Sequence, residues 1–226
     1  MNQLLGLVFS FGFVFIVMAI SSILLSSGRL SPPAARKFIH IAVGHWWFIA
    51  MFTMQDPGIA VIGPIFFIVI NYVIYRTKLL PAMGDAGSNP GTVYYPVSLL
   101  ILVVLTWYTP LPKWTGGLAV MILAWGDGLA AVAGERNGKS GRKIRVPGGR
   151  KSLAGTMAMF GASLAAALIM QLLFSGAAGL PEIMATGLLL AAVATLVELY
   201  TPFGLDNLTV PLSSILVFRL LTGLFS

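Results

Sequence analysis

Eight apolar stretches, separated by short turn-forming breaks, constrain this chain more than any single motif in it. They fall at about 4–25, 38–54, 58–75, 93–107, 114–132, 153–174, 181–199 and 208–224. A helix needs about 20 such residues to cross the hydrocarbon core of a bilayer. A chain in lipid must also satisfy its own backbone hydrogen bonds, which a helix does within one segment. The breaks carry Ser31-Pro32-Pro33, Asp56-Pro57-Gly58, the stretch from Gly84 to Gly91 around Asp85, Pro110 to Pro112, Gly176 to Pro181 and Thr201 to Gly204. The first run lacks a positively charged start and is longer than a leader's apolar segment, so it reads as a span. Only 9% of the 226 residues are charged and 58% are hydrophobic. A soluble surface draws on about 25% charged residues, so a soluble domain, a disordered chain and a fibrous repeat are excluded. The fold expected is an all-α polytopic transmembrane helix bundle of about eight spans. It forms one integral-membrane domain over residues 1–226, with a basic loop at 134–152.

The charges divide along the same pattern. Arg29, Arg36 and Lys37 follow the first run, Arg76 and Lys78 follow the third, and seven basic residues lie from Arg136 to Lys151 after the fifth. With eight spans all of these fall on one side, against Lys113 on the other and Arg219 inside the last run. Basic loops favour the cytoplasm, which puts both termini on the non-cytoplasmic side. Trp107, Tyr108 and Trp114 then mark the opposite boundary, where amphipathic rings collect. The basic loop suits a phosphate or an anionic headgroup; nucleic acid is not expected as a partner of a chain built of spans. The absence of cysteine removes disulfides, thiolate nucleophiles and cysteine metal sites.

Ionisable residues within or beside spans cost energy unless paired or hydrated, which makes them candidates for function. They are His40 in the second run, Asp127 within Trp125-Gly126-Asp127-Gly128, Arg150-Lys151-Ser152 before the sixth run, Glu198 late in the seventh, and Asp206-Asn207 opening the eighth. In the eight-span arrangement all lie near the cytoplasmic boundary, where a compact bundle can gather them. Asp127, Glu198 and Asp206 are hard oxygen ligands suited to Mg²⁺ bound together with substrate phosphates. Arg150 and Lys151 precede a helix whose first N–H groups and dipole also favour an anion, and Gly148 and Gly149 let backbone approach a phosphate. The set points to handling of a nucleoside triphosphate. Plainer readings stand beside it: Ser152 as a helix cap, Gly155 and Gly161 as points of close helix approach, and the basic loop as an orientation signal. The stretch from Gly134 to Ser140 imitates a phosphate-binding P-loop but is one residue short and follows a membrane helix instead of a strand.

The order of these motifs resembles the integral-membrane lipid kinases that include phytol kinase, dolichol kinase and yeast-type diacylglycerol kinase. The matching stretches are Arg36-Lys37-Phe38-Ile39-His40, Trp125 to Ala130, Gly138-Lys139, Arg150 to Thr156, then Glu198 and Leu205 to Leu212. The compact length is most similar to the phytol kinase branch. The resemblance implies a CTP-dependent kinase that uses a divalent cation to phosphorylate a prenyl alcohol such as phytol, farnesol, geranylgeraniol or a longer polyprenol. It further implies catalytic roles for Asp127, Glu198, His40 and Lys151. Nucleotide contacts are implied for Arg36, Lys37, Gly126, Gly128, Lys139, Arg150, Lys151, Ser152, Gly155 and Asn207. Metal ligation falls to Asp127, Glu198 and Asp206.

The alternatives are a cytidylyltransferase like CDP-diacylglycerol synthase and a transporter of an anionic substrate. The former carries a glutamate where this chain has Ala154. The latter is expected to place its polar sites near the midplane, with internal repeats that are absent here.

Overall fold

The structure, a computed structural model, describes residues 3–77, 90–136, 141–147, 149–176 and 178–223. Lys78, Asp85, Gly138, Lys139 and Gly148 lie outside the described residues. The helices are α1 (Gln3–Ser26), α2 (Pro32–Gly44), α3 (Trp46–Thr53), α4 (Pro57–Ala60), α5 (Ile62–Thr77), α6 (Gly91–Trp107), α7 (Lys113–Arg136), α8 (Leu153–Phe174), α9 (Leu180–Tyr200) and α10 (Asp206–Thr222). Only one residue separates α2 from α3 and one separates α4 from α5, so the described residues follow eight helical paths. Five paths are long and apolar enough to cross a membrane: 3–26, 57–77, 113–136, 153–174 and 180–200; α6 is a shorter apolar helix. The chain is an all-α membrane bundle, apart from the small hairpin β1 (Lys143–Val146) and β2 (Gly149–Ser152).

The chain divides into two compact units, Met1–Lys113 and Trp114–Ser226. In the first, local chemistry sets each boundary. Ser31 caps α2 by accepting from Ala34 N, with prolines in the first turn where a missing N–H costs nothing. His45 interrupts the second path, and its Nδ1 donates to Ile41 O at 2.9 Å. Pro96 inside α6 deprives the carbonyl of Thr92 of its helical donor. Asn71 of α5 supplies the replacement, donating through Nδ2 at 2.8 Å. At one end of this unit Lys113 Nζ donates to Met54 O (2.8 Å) and Gln55 Oε1 (2.9 Å) and lies 4.6 Å over the Trp107 ring. Trp107 Nε1 donates to the same Met54 carbonyl, and the buried Trp47 donates to Lys113 O.

In the second unit α7 is buried along most of its length, large and small residues alike, and glycines set how closely other helices approach. A Cβ on Gly126 would lie 2.6 Å from Met159 Sδ and 2.5 Å from Ser163 Oγ of α8. One on Gly187 of α9 would lie 2.9 Å from Leu168 of α8. Small residues at such points let helix backbones come together in lipid, where packing rather than the hydrophobic effect drives association. At the far end, Trp114 of α7 meets Phe218 of α10 edge to face at 5.3 Å.

Candidate active site

Every element that builds the candidate site belongs to the second unit. Asp127 projects from the middle of α7 and is buried, as is Glu198 near the end of α9. α9 stops because Pro202 follows: Thr201 takes the extended backbone that a residue before proline prefers. The chain then reverses through Phe203 (φ 60°) and Gly204 (φ 76°), both left-handed, and α10 starts at Asp206. A left-handed bulky residue such as Phe203 carries strain of about 1–3 kcal/mol, which the surrounding structure must hold. Asn207 helps hold it: its Nδ2 donates to Gly204 O at 3.1 Å, and its backbone N–H donates to Asp206 Oδ1 at 3.0 Å. The Thr209 hydroxyl donates to Thr201 Oγ1 at 3.2 Å, tying the start of α10 to the end of α9.

This turn brings acids from three helices together. One carboxylate oxygen each from Asp127, Glu198 and Asp206 lies within 4.8 Å of the others. The fit to a divalent cation such as Mg²⁺ is good on donor chemistry, since all three are hard anionic oxygens and two are buried.

Lys151 comes to the same place from the hairpin. Its Nζ donates to Glu198 Oε1 at 2.6 Å and also to the Glu198 carbonyl. The ammonium is therefore held at the edge of the acidic cluster. Next to it Ser152 caps α8, its Oγ accepting from Gly155 N at 2.9 Å. Gly155 permits the close approach of α8 to α7: a Cβ there would stand 2.8 Å from the Ala130 carbonyl oxygen. A cleft of about 200 Å³ opens over this arrangement, with Asp127, Lys151 and Glu198 as its ionisable lining. Ala130, Ala131 and Gly134 of α7 and Thr156 of α8 complete the lining; Ala130 and Thr156 end two of the matching stretches, whereas Ala131 and Gly134 were not expected at the site. The signal was their spacing: positions 127, 130, 131 and 134 share one face of a helix.

The other expected residues lie on the hairpin, on α7 and on α2. The hairpin register pairs Ile144 with Lys151 and Arg145 with Arg150. Alternate strand residues point to opposite faces, so Arg150 and Lys151 are divided between the two sides of the ribbon. Gly126 is occupied with helix packing against α8. Arg36, Lys37 and His40 belong to α2 in the first unit. There the His40 ring lies 4.5 Å from the Tyr95 ring, and Tyr95 OH donates to the His40 carbonyl at 3.2 Å.

No protein-family model and no solved structure matches the chain. It is 34% identical over 197 residues to the phytol kinase of Synechocystis sp., covering 86% of this chain and 82% of that protein. It is 33% identical over 139 residues to "Probable phytol kinase 2, chloroplastic" of Glycine max, covering 58% of this chain and 45% of that one. To the Glycine max protein named "Probable phytol kinase 3, chloroplastic" it is 28% identical over 204 residues, or 80% of this chain and 61% of the relative. The extent of the first match, together with the motif order, shows that this chain belongs to the phytol kinase family.

Proposed function

We propose that the chain is a lipid kinase that transfers the γ-phosphate of CTP to the hydroxyl of a prenyl alcohol, the candidates being phytol, farnesol, geranylgeraniol and longer polyprenols. The observation that carries this reading is the meeting of the Asp127, Glu198 and Asp206 carboxylates, with Lys151 paired to Glu198 beside them, in a member of the phytol kinase family. Phosphoryl transfer asks a protein mainly for positioning and charge neutralisation, and this is what the cleft offers. Asp127, Glu198 and Asp206 would hold a divalent cation such as Mg²⁺, which when bound offsets the negative charge of the donor phosphates. Lys151, resting on Glu198, turns its ammonium to those phosphates. The dipole of α8, whose first turn borders the cleft, adds to the same field. The small side chains of Ala130, Ala131 and Gly134 leave room on the α7 side. The acceptor's tail lies among the apolar helices with its hydroxyl at the cleft; a carboxylate of the cluster accepts the hydroxyl proton as the new O–P bond forms and the bond from the γ-phosphorus to the β–γ bridging oxygen breaks, releasing CDP. The excess of basic loops on one side supports a cleft that faces the cytoplasm. The whole chain acts as one kinase domain.

The test uses detergent-solubilised protein, a mixed prenol pool and γ-labelled CTP or ATP, each with and without Mg²⁺. Label in the lipid phase that depends on CTP and Mg²⁺ is expected. Pyrophosphate release with CMP retained on lipid would instead assign cytidylyl transfer, and no product at all would leave transport of an anion as the reading.

A further inference from the structure

We infer that Asn207 is a positioning residue: it fixes the Asp206 carboxylate for the divalent cation and takes no part in gripping the donor phosphates, an inference that rests on the cation reading of the acidic cluster proposed above. Two N–H groups of Asn207, one from the backbone and one from the side chain, converge on the same pair of oxygens. The backbone N–H donates to Asp206 Oδ1 at 3.0 Å and is shared with Gly204 O at 3.2 Å. The amide Nδ2 donates to Gly204 O at 3.1 Å and to Asp206 Oδ1 at 3.3 Å. A primary amide carries two protons, and both are engaged here, one on each oxygen. What remains to the side chain is its own carbonyl oxygen, which can only accept. Phosphate oxygens are acceptors too, so the nucleotide contact that the resemblance implies for Asn207 has no side-chain proton to offer a phosphate.

Asp206 is the member of the cluster that most needs such a hold. Asp127 and Glu198 are buried, whereas Asp206 is half-buried at the first residue of α10, after Leu205, whose side chain offers no cap. The three carboxylates approach within 4.8 Å of one another. Like charges at such range repel, and the repulsion drives the least confined of them outward. Two N–H donors on Oδ1 oppose that drift, and hydrogen bonds to a charged acceptor are the strong ones. They set the plane of the Asp206 carboxylate and so fix where Oδ2 stands. The same two N–H groups hold the carbonyl of Gly204, whose backbone is left-handed at φ 76°. The placement of the acid is thereby coupled to the turn between α9 and α10.

The test is a double-mutant cycle of Asn207→Leu and Asp206→Asn in the detergent-solubilised full chain. Mn²⁺ is titrated without nucleotide and read from the electron paramagnetic resonance of the free ion. Asn207→Leu should weaken Mn²⁺ binding about tenfold or more, the usual scale for a partner of a metal ligand. Asn207→Gln, which keeps two donors on a longer arm, should weaken it less. In the Asp206→Asn background the leucine substitution should add less than about twofold, because the group it acts through is gone. Nucleotide KM at saturating Mg²⁺ should stay within about twofold of wild type in Asn207→Leu. Asn207→Ser runs the same cycle if the leucine variant does not fold. Equal losses in both backgrounds would overturn the inference and reduce Asn207 to general support of the fold. A rise in KM of about tenfold at saturating metal, the scale of a lost charge-assisted hydrogen bond, would overturn it by returning Asn207 to the nucleotide. If Asn207→Leu binds Mn²⁺ as wild type while Asp206→Asn does not, this inference alone fails; if Asp206→Asn also binds as wild type, the cation reading falls with it.

Discussion

Gly155→Ala gives a stringent test of how the site is built. The added methyl would sit 2.8 Å from the Ala130 carbonyl oxygen and 2.9 Å from Ser152 Oγ. Ordinary contact begins at 3.4 Å, so α7 and α8 must part by about 0.6 Å there, or Ser152 must leave its cap. Overpacking of this kind costs about 1–3 kcal/mol, and losing the cap about 1 kcal/mol. The higher helix propensity of alanine returns up to ~1 kcal/mol, leaving a net loss of roughly 1–3 kcal/mol. At Gly161, on the same helix, an added Cβ meets nothing within 4 Å. Only the propensity gain remains there, so the two substitutions should have opposite signs. Thermal unfolding in one detergent reads them directly: Gly155→Ala should fall by several degrees, at ~2–4 °C per kcal/mol for a chain of this size, while Gly161→Ala holds or rises. Because Gly155 lines the cleft with Asp127, the same displacement should lower kcat by about tenfold; a misplacement of 1 Å in a reacting site costs on the order of a hundredfold. If Gly155→Ala melts at or above wild type and keeps full kcat, the close α7–α8 approach does not position the site and the reasoning fails.

Asp127→Asn and Asp206→Asn should each weaken Mn²⁺ binding at least tenfold, read from the electron paramagnetic resonance of the free ion, and binding at wild-type strength in both would remove the metal assignment. Lys151→Ala should raise nucleotide KM by about tenfold or more while leaving the protein folded, since the charge-assisted contact it supplies is worth roughly 1.5–3 kcal/mol; unchanged KM by steady-state kinetics would place the phosphates elsewhere. Ser152→Ala should destabilise by about 1 kcal/mol through the lost cap, visible as a lower midpoint in thermal unfolding. Lys113→Ala removes two hydrogen bonds and the Trp107 contact, so it should lower Tm without altering nucleotide KM, and a KM effect would contradict its purely architectural place.

Much of the fold was legible because hydropathy and helix boundaries follow from local chemistry. The runs at 153–174 and 181–199 match α8 and α9 to within a residue at each end. The second path begins earlier than its apolar run because Ser31 and two prolines start the helix before the hydrophobic residues do. The hairpin was not foreseen. Lys143-Ile144-Arg145-Val146 alternates with the period of a strand, but four residues in a charged loop give too short a pattern to separate from chance. Without the hairpin, Arg150 and Lys151 read as one cationic pair, although a strand sends neighbours to opposite sides. The acids stood out individually through the cost of charge in a span. Their convergence depends on the Phe203-Gly204 reversal, and a phenylalanine gives no warning of a left-handed backbone.

That reversal also governs how the site can move. Five residues link α9 to α10, pinned by hydrogen bonds from Asn207 and Thr209, so Glu198 and Asp206 ride on a stiff elbow as one jaw. Any tightening of the site around a bound ligand must then be made from the α7 or hairpin side. Loosening the elbow by insertion would separate the two acids without touching either of them.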